Sequence, residues 1–580
     1  MPNFASLHHL LEQRLIEQPD DVAFVFIDDQ GNETAKLTYR ELFRRAAAIA
    51  GDLIQRAAPT ERALLVYPPG LEFLCAYFGS LMAGLLPAPM MPPRRAAVRD
   101  ASEAIVKKCG PRLVLTDSHL LGHGARDIRD RMTTIGRDSW IATDRIEAAG
   151  GERTGFAPRL QEFALLQFTS GSTSEPKGVM VSHASLLSNL EMIKRAFGNG
   201  RGSTYASWTP LFHDMGLILN ALQAVYVGAT CYLLAPVTFL HRPMIWLRTI
   251  SNYRVEVAGC PNFGFDHCVD RLRPEAMESL DLSSWRVAFN GAEPVRAQTL
   301  ERFAKAFAPY GFRASALHPS YGMAEATLMI SCGRRGEGAF VRAIDESAFQ
   351  KSCVVDASTD SGRDLVACGR ELDGEEITIV DPSTRERMQP DRIGEIWVRG
   401  PHVAQGYFND PEATREVFHA EIHGGSGSWL RTGDLGFLDA SGNLFVSGRL
   451  KDVIILRGAN YYPQDIERTV EECHPALRRH GAAAFSVDGE RGEERLVVVQ
   501  EIARTHRHAE NHAEIEDCIR EAVAEAHDLS VHQIVLIAPG ALPVTTSGKV
   551  QRGLARKMFY DGAFVPVVPS GISSARNTAP

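Results

Sequence analysis

The amino-acid sequence predicts an α/β fold in layers, with a large N-terminal part, a β-rich stretch and a small α+β part at the C-terminal end. Three observations lead there. Short apolar strands alternate with helical segments through the first half, the pattern of layered α/β architecture with largely parallel sheets. The texture changes after about residue 330 to short strands between turn residues. A chain of 580 residues also exceeds a single core and calls for roughly two to four domains or subdomains.

The elements follow in order. Thr38-Tyr39-Arg40-Glu41 is a capping box that opens a helix running to about Arg56. Ala63 to Tyr67 reads as a buried strand, followed by a helix from Leu71. The apolar run Phe73 to Leu86 contains Gly79 and Gly84, ends at Pro87, and is shorter than the ~18 residues of a membrane span, so it reads as a buried helix. Further strands are expected at 112–116, 163–168, 230–234, 255–258 and 286–289. In the β-rich stretch they fall at 375–380, 394–398 and 443–446. The C-terminal part begins near 451, with a strand at 495–501 and a helix marked by Ile515, Cys518, Ile519, Ala522, Val523 and Ala526. The last residues, 566–580, are small and polar and are expected to be disordered.

Composition narrows the function. Apolar residues make up 44% and charged residues 23%, ordinary for a soluble globular chain. The net charge of −9 argues against a nucleic-acid protein, which would carry a basic face. The ten cysteines are scattered without a CxxC; Cys260, His267 and Cys268 fit no common zinc spacing and read as buried free thiols. With no basic-then-apolar leader in Met1 to Leu10, a reducing cytoplasm is expected.

Six segments, forming five sites, carry chemistry. Thr169 to Gly178 (TSGSTSEPKG) is small and hydroxyl-rich, so backbone N–H groups and hydroxyls can close around a phosphate chain, with Lys177 adding a mobile charge. It lacks the Walker pattern. Asn290 to Pro294 (NGAEP) follows a strand, where α/β folds place ligands. Tyr321 to Glu325 (YGMAE) offers an aromatic face for a purine and a hard oxygen ligand suited to magnesium. Arg431 to Asp434 (RTGD) and Gly448 to Asp452 (GRLKD) offer a carboxylate for ribose hydroxyls and a fork donor. Thr545 to Arg552 (TTSGKVQR) presents Lys549 on a small-residue loop. Each segment alone also reads as an ordinary turn, helix start or surface ion pair.

Together and in this order, these segments resemble the adenylate-forming superfamily of acyl-CoA ligases, peptide-synthetase adenylation domains and luciferases, over about residues 5–560. The resemblance implies an N-terminal domain over 1–450, made of two layered α/β subdomains and a β-rich subdomain from about 331, and a mobile C-terminal domain over 451–565. It implies activation of a carboxylate by ATP and magnesium with release of pyrophosphate. Thr169, Ser170, Gly171, Ser172, Thr173 and Lys177 fall on its phosphate loop. Gly291, Ala292, Glu293, Tyr321, Gly322 and Met323 fall on its adenine site, and Asp434 and Arg449 on its ribose ligands. Glu325 falls on its magnesium ligand, Lys451 on its hinge and Lys549 on its catalytic lysine.

Details point to the fatty acyl-AMP ligase branch: Trp208 to Ile218 (WTPLFHDMGLI), Asn290 to Arg296, Tyr321 to Leu328, and Gly448 to Glu467 with its YPQDIE ending. Residues 332–374 resemble the insertion that in this branch restrains the small domain and disfavours free CoA. The branch implies a fatty acid in an apolar tunnel, walled near Met215, Phe263 and Phe265, with His213 and Asp214 at its junction with the phosphates. It also implies transfer of the acyl group to the phosphopantetheine of an acyl carrier protein in trans, in polyketide, lipopeptide or lipid biosynthesis. An acyl- or aryl-CoA ligase is the alternative. A peptide-synthetase adenylation domain would want an acid for the substrate amino group, which Asn262 to Asp266 does not clearly supply, and the full set Glu325, Asp434, Arg449 and Lys549 argues against a non-catalytic sensor.

Overall fold

The computed structural model describes residues 4–567, apart from 94–95, 123–127, 148–158, 160, 170–175, 274–278, 359–361, 490–493, 507–511 and 546–547. A nine-stranded sheet forms the centre of the large part. Six of its strands run parallel, in the order Leu317–Gly322, Val287–Asn290, Val257–Gly259, Thr204–Ser207, Thr230–Leu234 and Val22–Ile27. Antiparallel strands close both edges: Glu33–Thr38 on one side, Met329–Cys332 and then Arg370–Glu371 on the other. A second, fully parallel sheet orders Leu86–Pro89, Arg62–Leu65, Leu113–Thr116 and Trp140–Ala142.

Helices Tyr39–Leu53 and Glu72–Met82 pack on each other in the main core. The first opens on the expected capping box, Thr38 accepting from the Glu41 N–H while the Glu41 carboxylate accepts from the Thr38 N–H. The second buries every residue from Phe73 to Met82, because it lies between layers and has no solvent face. Gly79 is the point of closest approach: a Cβ there would sit 2.8 Å from the Ile49 side chain. Among the described residues, no helix is long and apolar enough to cross a membrane.

The expectation of largely parallel sheets holds for these two layers and fails beyond them. The β-rich stretch is a four-stranded antiparallel sheet, Glu376–Val380, Gly394–Arg399, Leu430–Leu438 and Leu444–Arg449. A short turn joins the last two of these strands, and longer connections, one of them carrying helix Pro411–Phe418, join the others. The strand Phe163–Thr169 also pairs antiparallel, with Lys177–Ser182, so the phosphate-loop segment is the connection of a hairpin and not a strand-to-helix turn. Val341–Ile344 and Arg363–Val366 form a further two-stranded sheet within 332–374. At the C-terminal end, Leu477–Asp488, Glu494–Ile502 and Val531–Ile537 make a three-stranded sheet. Helices Pro463–Cys473 and His512–His527 share its core. All ten cysteines are free thiols, and Cys260 and Cys268 are buried in an aromatic core. The tail beyond 567 lies outside the described residues.

One buried side chain shapes the turn after Val287–Asn290. Asn262, at the start of helix Asn262–Asp270, donates to the Pro294 carbonyl (2.8 Å) and accepts from the Arg296 N–H (3.1 Å) and the Asn290 amide (3.2 Å). The turn needs that support, since Ala292 is held at φ 70°, the left-handed region that non-glycine residues rarely adopt. Replacing Asn262 with alanine strands three polar groups and is expected to cost about 1–3 kcal/mol, read as a fall in the temperature of cooperative unfolding.

Candidate active site

A cavity of about 1010 Å³ opens between the large part and the C-terminal part. Thr169, Lys177, His213, Met215, Gly291, Glu293, Tyr321, Glu325, Asp434, Arg449 and Lys549 all reach its wall. These residues lie as far as 380 positions apart in sequence, and the fold delivers each to one place.

Thr169 and Lys177 face each other as the last pair of the hairpin, the Thr169 hydroxyl donating to the Lys177 carbonyl at 3.5 Å. Ser170, Gly171, Ser172 and Thr173 lie outside the described residues. Gly291, Ala292 and Glu293 form the turn that Asn262 holds. Gly322 and Met323 complete that wall; a Cβ at Gly322 would overlap the Leu328 carbonyl, so the close turn requires glycine.

Asp434 is the junction of the site. It sits on strand Leu430–Leu438 opposite Arg449, whose Nε donates to Oδ1 at 3.1 Å. The Tyr321 hydroxyl, arriving from the nine-stranded sheet, donates to Oδ2 at 2.8 Å. Each carboxylate oxygen retains a lone pair for a further donor. Burial and then the Asp434 charge push the Tyr321 phenol far above its usual range, so it stays a donor. Asp434 raises Arg449 above an already high value. The preceding turn rests on buried Glu395, which accepts from Arg431 (2.9 Å), from Trp397 (2.9 Å) and from the Gly433 N–H (3.1 Å).

Glu325 is buried at the cavity wall, and Tyr407 donates to its Oε1 at 2.8 Å. Burial raises its pKa, against the pull of that bond. Among the described residues no three His, Cys, Asp or Glu side chains cluster as a self-sufficient metal site. A cation at Glu325 would therefore complete its shell with water and phosphate oxygens, which is how magnesium binds on nucleotides.

Lys549 is presented by a tight turn, with Gly548 at φ 88° and the Lys549 N–H bonded to Thr545 Oγ1 at 3.0 Å. Arg552 locks this turn to the C-terminal part through a bidentate pair with Glu467 (2.6 Å each) and a bond to Asp452 (3.2 Å). The Lys549 side chain is accessible within the cavity, with protein packed around it. Burial, then Arg449, lowers its pKa, offset by Asp214, Glu293 and Asp434. Asp214 pairs with His213 at 2.7 Å. Its pKa is lowered because His213 and Lys549 outweigh burial.

Met215 opens an eight-residue π-helix, Met215–Leu222, a rare conformation frequent at functional sites. Gly216 makes it possible, since a Cβ there would overlap the Pro210 carbonyl. Met215, Phe212 and Leu219 line the cavity. Phe263 and Phe265, expected at the acyl tunnel, are not among the residues that line this cavity. Phe263 packs edge-on against Trp208 with ring centres 5.5 Å apart, and Phe265 is fully buried against Trp285 and Phe303. Phe265 belongs to the aromatic core behind the site, and Phe263 is half-buried at the edge of that core. Asp266 is held by Thr299 (2.8 Å) and Arg302 (2.7 Å). Lys451 is exposed in the turn after strand Leu444–Arg449 and borders the cavity.

Sequence reading missed Asn262, Glu395 and Tyr407 as shapers of the site. None carries a motif signal by itself; each matters through bonds to residues far away in sequence.

Residues 11–408 match the AMP-binding enzyme family, and residues 451–566 match the AMP domain of Disco-interacting protein 2-like proteins. The medium-chain-fatty-acid–[acyl-carrier-protein] ligase JamA of Moorena producens is 43% identical over 571 residues, 97% of this chain and 96% of that one. The corresponding ligase TtuA of Teredinibacter turnerae is 34% identical, over 95% and 92%. The fatty acyl-adenylate ligase of L. pneumophila, solved with acyl adenylate and pyrophosphate, superposes with a TM-score of 0.74 at 38% identity over 97% of each chain. A structure from work on fatty acyl-adenylate ligases of E. coli and L. pneumophila reaches 0.87 at 28%, over 97% and 99%. The match runs through every segment that builds the cavity, and the chain belongs to the AMP-binding enzyme family, within it to the fatty acyl-AMP ligases.

Proposed function

We propose that the protein activates a medium- or long-chain fatty acid with ATP, forming acyl-AMP and pyrophosphate, and then transfers the acyl group to the phosphopantetheine thiol of an acyl carrier protein. One observation carries the reading: Lys549, from the C-terminal part, enters the same cavity as Tyr321, Glu325, Asp434 and Arg449. Support for the substrates comes from the ligases JamA and TtuA, whose names give a medium-chain fatty acid and an acyl carrier protein.

The carboxylate oxygen attacks the α-phosphorus, and the bond to the bridging oxygen of pyrophosphate breaks. No base is needed, because the acid is already ionised. The difficulty is negative charge approaching negative charge, so rate depends on positioning and on cations that offset it. Lys549 has that role at the α-phosphate and the incoming carboxylate. Thr169 and Lys177, with Ser170 to Thr173, hold the leaving β- and γ-phosphates. Asp434 and Arg449 hold the ribose, and the 291–293 turn with Tyr321 holds the adenine. Glu325 is the residue that would hold magnesium, which neutralises phosphate charge when bound. Met215 and the π-helix begin the acyl wall, and His213 and Asp214 shape its junction with the phosphates. In the second step the thiol sulfur attacks the acyl carbonyl and AMP leaves, after rotation at Lys451.

The segment 332–374 has a physical means of holding back that rotation. Arg363 lies over the Phe349 ring (4.5 Å) and the Tyr462 ring (5.5 Å) and bonds Asp465. Asn460 bonds the Gln350 carbonyl and the Ser352 hydroxyl (3.1 Å). Tyr462, Asp465 and Asn460 belong to the C-terminal part, so these contacts tie it to the adenylation geometry.

Acid-dependent ATP–pyrophosphate exchange is the primary test. With fatty acid and CoA both present, acyl-AMP should accumulate and acyl-thioester should form only when a phosphopantetheinylated carrier is added; rapid acyl-CoA formation points to the CoA-ligase alternative. Lys549→Ala should lower exchange by about 10²-fold or more while nucleotide binding persists, and an unchanged rate removes the role given to Lys549.

The lysine must be protonated to act, and its pKa is lowered. The kcat/KM for exchange should thus fall with rising pH on an alkaline limb that begins below the ~10.4 of an ordinary lysine. Arg363→Ala should leave exchange intact and raise the acyl-CoA to acyl-AMP ratio; an unchanged ratio argues against the restraint.

A further inference from the structure

We propose that Tyr407 is a positioning residue that fixes Glu325 and Lys177 relative to one another, and so couples the phosphate-binding arm to the cation-binding carboxylate; this rests on the reading of Glu325 as the cation ligand. Tyr407 lies outside every motif that the sequence singles out. Its hydroxyl donates to Glu325 Oε1 at 2.8 Å, and the Lys177 ammonium sits over its ring, 4.5 Å from the centre. The same side chain thus touches one group from each of two segments about 150 residues apart in sequence.

The backbone around it is built to hold this position. Residues 405–408 run alongside the second arm of the phosphate hairpin, with Gln405 N–H to Met180 O (3.0 Å), Met180 N–H to Gly406 O (2.9 Å) and Phe408 N–H to Gly178 O (2.7 Å). The preceding residues are bonded to the Glu325 turn. Ala404 N–H donates to the Glu325 carbonyl (2.9 Å), and the Thr327 hydroxyl donates to the His402 carbonyl (2.6 Å). Thr327 is buried with φ 65° and ψ −58°, a backbone strain that persists only where surroundings enforce it. Tyr407 itself is 6% exposed, and its N–H is taken by Thr414 Oγ1 at 2.9 Å. Segment 402–408 is therefore a rigid strut between hairpin and turn.

The chemistry of the strut follows from the two groups it separates. Glu325 and Lys177 carry opposite charge and border one cavity, so a direct ion pair between them would compete with both the cation and the phosphates. Tyr407 offers each a different partner: a hydrogen bond for the carboxylate and a π face for the ammonium. Both contacts leave binding capacity free, a second carboxylate oxygen for the cation and the ammonium protons for phosphate, so they persist in the bound state and keep the groups apart.

The test measures Mg²⁺-dependent binding of α,β-methylene-ATP by calorimetry in the full-length protein, for Tyr407→Phe, Glu325→Gln and the double variant. Tyr407→Phe should raise the half-saturating Mg²⁺ concentration about tenfold, the scale of one hydrogen bond to a charged group. In the Glu325→Gln background it should add nothing, since it acts through that carboxylate. Lys177→Met leaves the hydroxyl–carboxylate bond in place and should weaken nucleotide binding evenly at all Mg²⁺ concentrations. Shifts that add in the double variant, or a Tyr407→Phe profile equal to wild type beside a shifted Glu325→Gln, overturn the coupling. An unshifted Glu325→Gln overturns instead the reading of Glu325 on which it rests.

Discussion

The buried carboxylate of Asp434 is the point on which the architecture turns. It is reached by Tyr321 from the parallel sheet and by Arg449 from the adjacent antiparallel strand, and it sits where those two layers meet. A buried carboxylate without such partners would be costly, and the partners would be equally costly without it. The three groups therefore fix the angle between the two sheets and, with it, the shape of the nucleotide wall. Glu395 does the same one turn earlier for the RTGD segment. The binding surface is in this sense the seam of the fold.

The C-terminal part is held over that seam by charge. Arg552 is bidentate on Glu467 and bonded to Asp452, which fixes the Lys549 turn within its own part, while Arg363 reaches across from the large part and Asn460 from the C-terminal part. The two sets differ in kind. The first is internal to the C-terminal part and would survive the proposed rotation. The second crosses the boundary and would have to break. On that proposal, Lys549 would be exact in one arrangement and withdrawn in another.

The sequence made much of this visible, for physical reasons that differ by element. Strands such as 163–168 and 230–234 are short apolar runs bounded by turn residues, and the Thr38 cap is a local four-residue signal. The chemical residues were visible because their types are demanding: an acid and an arginine on small-residue turns, a lysine after a glycine. What was hidden depends on contacts made only in three dimensions. The antiparallel partner of Phe163–Thr169 cannot be told from its apolar pattern alone. Phe263 and Phe265 follow a strand beside a site motif, and only packing shows their contacts with Trp208 and Trp285. Asn262 is one asparagine among others until its three bonds are seen.

The strand order of the large sheet has a consequence for synthesis. Val22–Ile27 pairs with Thr230–Leu234, Phe24 lying beside Cys231. At roughly 5–20 residues per second, the first strand leaves the ribosome about 10–40 s before its parallel neighbour exists. Through that interval Phe24 and Ile27, fully buried in the finished protein, have no permanent cover on that edge. An unpaired apolar strand edge is a template for wrong pairing. The nascent chain must be shielded there, whereas the three strands near the C-terminus close among neighbours made within seconds of each other.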